Sequence, residues 1–141
     1  SLELGEVVEH ISKYYNVSVY ESIQLLLVIE KHLKSYNIIN INEIPWVLNS
    51  LQLFLAKVND PNFEVKYFAV KCLKQILDSE YKEIVINTLS HLIDDADFRL
   101  KLLIINNIVI KNSLLFKGLL EKLMVDNNNL VRKAVSNIIC D

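Results

Sequence analysis

A seven-residue phrase recurs three times in this chain and constrains its fold more than any other feature. The copies span residues 60–66, 95–101 and 126–132, and each has an aliphatic residue five positions after its Asp and a cation six positions after it. The steps between the Asp residues are 35 and 31. A period in this range is the signature of stacked structural repeats, which present an extended surface to another macromolecule.

The composition favours helices and gives no general attraction for nucleic acid. Two Gly and two Pro in 141 residues are too few for the many tight turns of a β-rich fold. The net charge of −2 provides no overall field that favours polyanions or an anionic membrane. Cys72 and Cys140 lack a metal-site spacing, and we interpret them as free thiols of a reducing, cytoplasmic protein. The longest apolar run, Leu25 to Ile29, is far too short to span a membrane.

The apolar periodicity predicts eight helices in four antiparallel pairs, which form an all-α fold. Ser18 followed by Glu21 predicts a capping box. Asp60 is predicted to cap the helix over about residues 61–77, and Pro61 is predicted to be its first residue. The predicted helices cover about residues 3–15, 18–35, 45–58, 61–77, 80–93, 97–111, 114–124 and 128–140.

This pattern resembles HEAT repeats, in which an Asp-Pro-like phrase opens the second helix of each antiparallel pair. The best copy has Asp60-Pro61, Val65-Lys66 and Ala69, whereas Ile104 replaces the usual small residue in the middle copy. The resemblance implies a single domain over residues 1–141, coiled as a right-handed superhelix. Its predicted parts are a helix pair over 1–44 and repeats over 45–78, 79–111 and 112–141.

The resemblance also implies a structural ladder of Asp residues and cations between adjacent repeats. Each Asp would accept from free N–H groups at a helix start, where the helix dipole favours negative charge, and a cation one repeat away would pair with it. The ladder residues are Asp60, Lys66, Asp95, Lys101, Asp126 and Arg132.

The second helices of HEAT pairs line the concave face, and their residues off the core stripe are the candidate protein-binding site. An apolar patch with a cationic rim would suit a protein partner, either a helix or an extended segment. The alternative is that the helix over 97–111 is enclosed by its neighbours, so that its side chains belong to the core. The predicted patch consists of Tyr67, Val70, Leu102, Ile105 and Val109.

No catalytic, cofactor-binding or metal-binding residue is predicted. His10, His32 and His91 are not spaced as metal ligands, and no nucleotide-binding or nucleophile motif occurs. Cations gathered on the concave face would instead suit phosphate, as in HEAT-like proteins that repair alkylated DNA. The acidic composition weighs against that hypothesis, and Trp46, the single Trp, is expected in the core. These cations are Lys66, Lys71, Lys74, Lys101, Lys111, Arg132 and Lys133.

The sequence therefore predicts a non-catalytic HEAT-repeat scaffold or adaptor without a cofactor, which binds protein on its concave face. The alternative is a HEAT-like nucleic-acid-binding, DNA-repair or lyase-type protein. The last predicted helix has no Gly stop signal, and terminal repeats need a polar outer face. We therefore expect either further repeats in a longer protein, of which this chain is a fragment, or end-to-end self-association.

Overall fold

The computed structural model describes residues 18–35, 47–94 and 97–139, and these residues form helices and turns without a strand. The helix predicted over 3–15, together with Trp46, Asp95 and Cys140, lies outside the described residues. The helices are α1 (Val19–Lys34), α2 (Val47–Lys57), α3 (Phe63–Gln75), α4 (Lys82–Leu92), α5 (Phe98–Asn107), a 3-10 turn (Val109–Lys111), α6 (Lys117–Leu123) and α7 (Asn129–Ile139). The prediction of an all-α chain is confirmed for this part of the sequence.

The predicted cap of α1 is present. The Ser18 hydroxyl oxygen accepts from the Glu21 N–H at 3.2 Å, and the hydroxyl donates to the Glu21 carboxylate at 3.0 Å. One of the free N–H groups at this helix start is thereby satisfied.

The prediction that Asp60 caps the helix of its repeat is wrong by two residues. The cap of α3 is Asn62, whose Oδ1 accepts from the Val65 N–H at 3.1 Å, while Asp60 Oδ1 accepts the N–H of Asn62 itself at 2.9 Å. Pro61 consequently lies before the cap, and α3 begins at Phe63. The Asp fixes the residue that caps, because a short side chain can hydrogen-bond the backbone two residues ahead.

The same turn begins α7. Asp126 Oδ2 accepts from the Asn128 N–H at 2.9 Å, and Asn128 Oδ1 accepts from the N–H groups of Leu130 and Val131. At the start of α5, the cap is Asp97, which accepts from the Arg99 N–H at 2.8 Å. All three copies of the phrase therefore place an Asn or Asp cap two residues after the repeated Asp.

The chain divides into two compact units, Ser1–Val85 and Ile86–Asp141, with the boundary inside α4. In the first unit, α1 and α2 both pack on α3. Because α3 contacts two helices, it is buried along a broad arc that includes Val65, Ala69, Val70 and Leu73.

In the second unit, α5 and α6 both pack on α7, and α5 also contacts the 3-10 turn that follows it. The predicted helix over 97–111 ends at Asn107, where the Asn107 side chain donates to the Leu103 carbonyl at 2.9 Å. Such side-chain bonds to the backbone are typical of places where a helix changes conformation. The core residues of this unit include Leu100, Ile104, Ile108, Phe116, Leu120, Val131 and Val135.

Candidate protein-binding groove

An open groove of about 330 Å³ lies in the second unit, bordered by α5 with its 3-10 turn on one side and by α7 on the other. We call it the α5–α7 groove. Its lining residues are Leu102, Asn106, Ile110, Leu130, Lys133, Ala134, Asn137 and Ile138.

The α7 side of the groove is one continuous face of the helix. Its lining residues follow one another at positions i, i+3, i+4, i+7 and i+8 from Leu130, which is the spacing of side chains on a single helix face. Leu130 is 53% exposed. The neighbouring stripe of Val131 and Val135 is fully buried and attaches α7 to the unit. Beside this buried stripe, the groove face of α7 is only partly covered, since Leu130 is exposed and Ala134 and Ile138 are half-buried.

The opposite side is formed by Leu102, Asn106 and Ile110, which are spaced four residues apart. Leu102 is half-buried, Asn106 is exposed and Ile110 is 51% exposed. Most of the lining on both sides is thus aliphatic, and Lys133 is the one ionisable residue that lines it. Apolar contact area bordered by a few polar groups is the usual composition of a protein-recognition surface.

Beside the groove, a partly buried ion pair ties α5 to the start of α7. Lys101 Nζ lies 2.5 Å from Asp126 Oδ1, and the two side chains are 15% and 11% exposed. Arg132 donates to the backbone carbonyl of Asp126 at 2.6 Å. This arrangement fixes the turn before α7, and with it the position of the α7 groove face.

The environment of Asp126 contains opposing influences on its pKa. Burial alone raises the pKa of this carboxyl group. The hydrogen bonds from Lys101 and from the Asn128 N–H, together with the charges of Lys101 and Arg132, outweigh burial and hold the pKa below its ordinary value. The carboxylate is therefore stabilised in its ionised form.

Three residues of the predicted binding patch are core residues, which corrects their assignment to an exposed surface. Val70 is 1% exposed, and Ile105 and Val109 are fully buried. The physical reason is that the buried arcs are wider than a single stripe: α3 packs on both α1 and α2, and on α5 and its 3-10 turn the buried residues include Ile105 and Val109 beside the predicted core stripe. Of the predicted patch in this unit, only Leu102 lines the groove.

Tyr67 lies in the first unit, in a row of aromatic side chains on α3. Its ring centroid is 6.1 Å from that of Phe63 and 5.3 Å from that of Phe68, the latter in an edge-on arrangement. The Lys71 ammonium lies 5.5 Å from the Tyr67 centroid, within cation–π range. Tyr67 is half-buried and has these intramolecular contacts.

The ladder residues occupy different environments. Lys101 and Asp126, which are 25 residues apart, form the ion pair described above. Asp60 accepts from the N–H of Asn62, and Arg132 donates to the backbone carbonyl of Asp126 in the turn before α7. Asp95 lies outside the described residues, so its predicted ion pair in the ladder remains a prediction. The ladder role of Lys66 also remains a prediction.

Sequence reasoning missed much of the groove. The apolar periodicity of the sequence predicts that Ala134 and Ile138 belong to the core stripe of α7 and gives no role to Leu130 or Ile110, yet all four residues line the groove. The sequence does contain a signal for this face. Leu130, Ala134 and Ile138 recur every four residues, and the polar residues Lys133 and Asn137 recur beside them with the same spacing. A second apolar stripe beside a core stripe indicates a face that is available to a partner.

The described residues contain neither a metal-binding cluster nor a membrane-spanning helix. No group of three or more His, Cys, Asp or Glu side chains there is placed to hold a metal ion. None of the helices described combines the length and the apolar character needed to cross a membrane.

No protein-family model, curated protein or solved structure matches this chain. The candidate site therefore depends on the geometry of the groove and on the recurring turn.

Proposed function

We propose that this chain is a non-catalytic scaffold or adaptor module that binds a protein partner in the α5–α7 groove. The observation that carries the proposal is the partly exposed row of Leu130, Ala134 and Ile138 on α7, opposite Leu102 and Ile110 across an open groove. Apolar anchors that become buried on association supply most of the binding energy at protein interfaces.

We further propose that the repeats are HEAT-like, belong to a right-handed superhelix and act in the cytoplasm. Support for the repeat comes from the recurring turn, in which Asp60 and Asp126 each accept the N–H of the Asn that caps the next helix. The pair Lys101–Asp126 is a contact between a cation and an Asp of the next phrase, as a repeat ladder requires.

The proposal is tested by capture experiments with paired variants of the full chain. Leu130→Asp places a charge on the groove face at the first turn of α7, where the helix dipole favours a carboxylate, so folding should be preserved. The matched control is Leu114→Asp, because Leu114 is 92% exposed and does not line the groove.

We expect the wild type and Leu114→Asp to capture the same proteins. Leu130→Asp should fail to capture them. Circular dichroism spectra and melting curves of the three proteins should agree. If folded Leu130→Asp retains the same proteins as the wild type, the groove is not the interface. If the retained material is nucleic acid, the alternative of a nucleic-acid-binding protein replaces the proposal.

A further inference from the structure

The two helices that border the α5–α7 groove carry ionised side chains of one sign only. Helix α5 contains Arg99 and Lys101, and helix α7 contains Arg132 and Lys133, whereas neither helix contains an Asp or Glu. The whole chain has 17 acidic residues and a net charge of −2, so this stretch departs from the overall composition. Asp97 and Asp126, which lie just before these helices, offset two of the four positive charges, so the border of the groove keeps a positive balance that favours a negatively charged occupant.

Only one of these four cations is available to a partner at the groove. Arg99 pairs with Asp97 at 3.0 Å, Lys101 pairs with Asp126, and Arg132 donates to the Asp126 carbonyl. Lys133 is exposed, lines the groove and forms no hydrogen bond or ion pair with another described residue. Its ammonium group lies on the same helix face as Leu130 and Ala134.

From these observations we infer that the groove binds an acidic amphipathic helix, with a carboxylate of that helix paired to Lys133. This inference rests on the proposed function and specifies its partner. The apolar face of the bound helix contacts Leu102, Ile110 and Leu130, and its acidic side faces Lys133. The ion pair sets orientation and specificity, while the apolar contacts supply most of the affinity.

The dimensions of the groove suit a short helical segment. From Leu130 to Ile138 the α7 face rises through eight residues, or about 12 Å at the helical rise of 1.5 Å per residue. Two turns of a partner helix cover the same length, with anchors at i, i+4 and i+7. Asn106 and Asn137 supply carboxamide groups that can donate to or accept from the polar flank of that helix.

A nucleic acid would need a different surface. Its backbone is bound through several phosphate contacts, each supplied by a separate cation or donor. Here one lysine stands among five aliphatic or small lining residues. Hydrocarbon side chains give a phosphate nothing to bind, whereas they suit the apolar face of a helix.

The test is a display selection with helical peptides as the probe. The library consists of peptides of about 16 residues, long enough to form a helix, with fixed apolar residues at i, i+4 and i+7. The flanking positions are randomised among Glu, Lys and Gln. The baits are the chain of residues 1–141 and its variants Lys133→Glu, Leu130→Asp, Lys117→Glu and Leu114→Asp. The last two are controls, because Lys117 and Leu114 are exposed and lie outside the groove.

Wild-type protein and both controls should enrich Glu over Lys at one flank by about tenfold or more. Lys133→Glu should reverse that preference to Lys, and Leu130→Asp should abolish enrichment. Loss of enrichment only with Leu130→Asp, without a charge preference in the wild type, would overturn the acidic partner but leave the groove as a protein-binding site. No enrichment by the wild type, or enrichment that survives Leu130→Asp, would overturn both.

Two further measurements distinguish other occupants. Sedimentation that shows self-association of the wild type, lost with Leu130→Asp, would mean that a second copy of the chain covers the groove and would overturn the inference. Fluorescence anisotropy with a labelled oligonucleotide tests whether the groove binds nucleic acid. Salt-sensitive binding that is lost with Lys133→Glu would replace the acidic helix by nucleic acid.

Discussion

Replacing Asp126 tests whether the partly buried ion pair, rather than charge pairing in general, holds α5 against α7. Asp126→Asn keeps an oxygen that can accept from the Asn128 N–H, but it removes the negative charge that faces Lys101. The lysine is then left at 15% exposure without its partner. Asp94→Asn is the matched control, because Asp94 pairs with Lys122 at 3.2 Å in the same unit, but both side chains are more than half exposed.

The expected free energies of unfolding follow from burial. A hydrogen bond between charged groups contributes about 1.5–3 kcal/mol, and an unpaired buried charge adds a penalty. Since the pair is mostly but not fully buried, we expect Asp126→Asn to lower the free energy of unfolding by about 2 kcal/mol. The exposed control should lose about 0.5 kcal/mol or less, because solvent screens such pairs.

Urea denaturation followed by far-UV circular dichroism measures the difference. With an m-value of about 2 kcal/mol per M, the midpoint of Asp126→Asn should fall by about 1 M. The double variant Lys101→Met, Asp126→Asn should lose less than the sum of the single losses, because neither charge is then left unpaired.

The pH dependence has a defined direction. The pKa of Asp126 is lower in the folded than in the unfolded chain, so its ionised form stabilises the fold above the ordinary value of 3.8. This stabilisation is lost as the pH falls through the folded-state pKa. The stability gap between wild type and Asp126→Asn should therefore be constant from neutral pH to about pH 5 and should narrow below about pH 4. Equal losses for Asp126→Asn and Asp94→Asn, or a gap that persists in acid, would refute this reasoning.

Two other predictions concern the caps and the thiol. Asn128→Ala should lower the free energy of unfolding by about 1 kcal/mol through loss of the α7 cap, while Asn127→Ala, at an exposed neighbouring position, should be neutral; equal urea midpoints would contradict this. Cys72 is fully buried, its thiol donates to the Leu26 carbonyl at 3.3 Å, and burial, with a smaller effect of the Glu30 charge, raises its pKa well above the ordinary value. In a Cys140→Ser variant, Cys72 is the only thiol. A thiol reagent at pH 8 should therefore modify Cys72 about a hundredfold more slowly in native buffer than in urea. Comparable rates in the two conditions would show that the contact between α1 and α3 opens readily.

Most helices could be predicted from the sequence because their core stripes are strongly periodic. The predicted stripe of α3 consists of Val65, Phe68, Ala69, Cys72, Leu73 and Ile76; five of these residues are buried and Phe68 is half-buried. The starts of α3 and α7 were misplaced by one or two residues, because an Asp followed two residues later by an Asn offers two possible caps. Backbone geometry decides between them, and here the second residue of the pair caps the helix.

The groove was harder to predict because a helix with a broad apolar arc does not show in its sequence which side of the arc faces the core. On α7, Leu130, Val131, Ala134, Val135 and Ile138 are all apolar or small, so periodicity alone does not distinguish the buried side from the open one. The predicted outer face of this helix consists of Arg132, Lys133, Ser136, Asn137 and Cys140, of which Lys133 and Asn137 line the groove together with Leu130, Ala134 and Ile138. On α5 and in the 3-10 turn that follows it, Ile105 and Val109 were expected opposite the core stripe but are themselves fully buried.

The positions of the repeated phrase and those of the groove are almost entirely separate sets of residues. In the last copy, Asp126 fixes the cap, Val131 enters the core, and Arg132 closes the turn. None of these three residues lines the groove. We therefore expect substitutions at groove positions such as Lys133 and Asn137 to alter binding to the proposed groove without disturbing the turn or the core. The repeated phrase thus supplies the turns and core positions, whereas the proposed binding groove is formed mostly by residues between the fixed positions of that phrase.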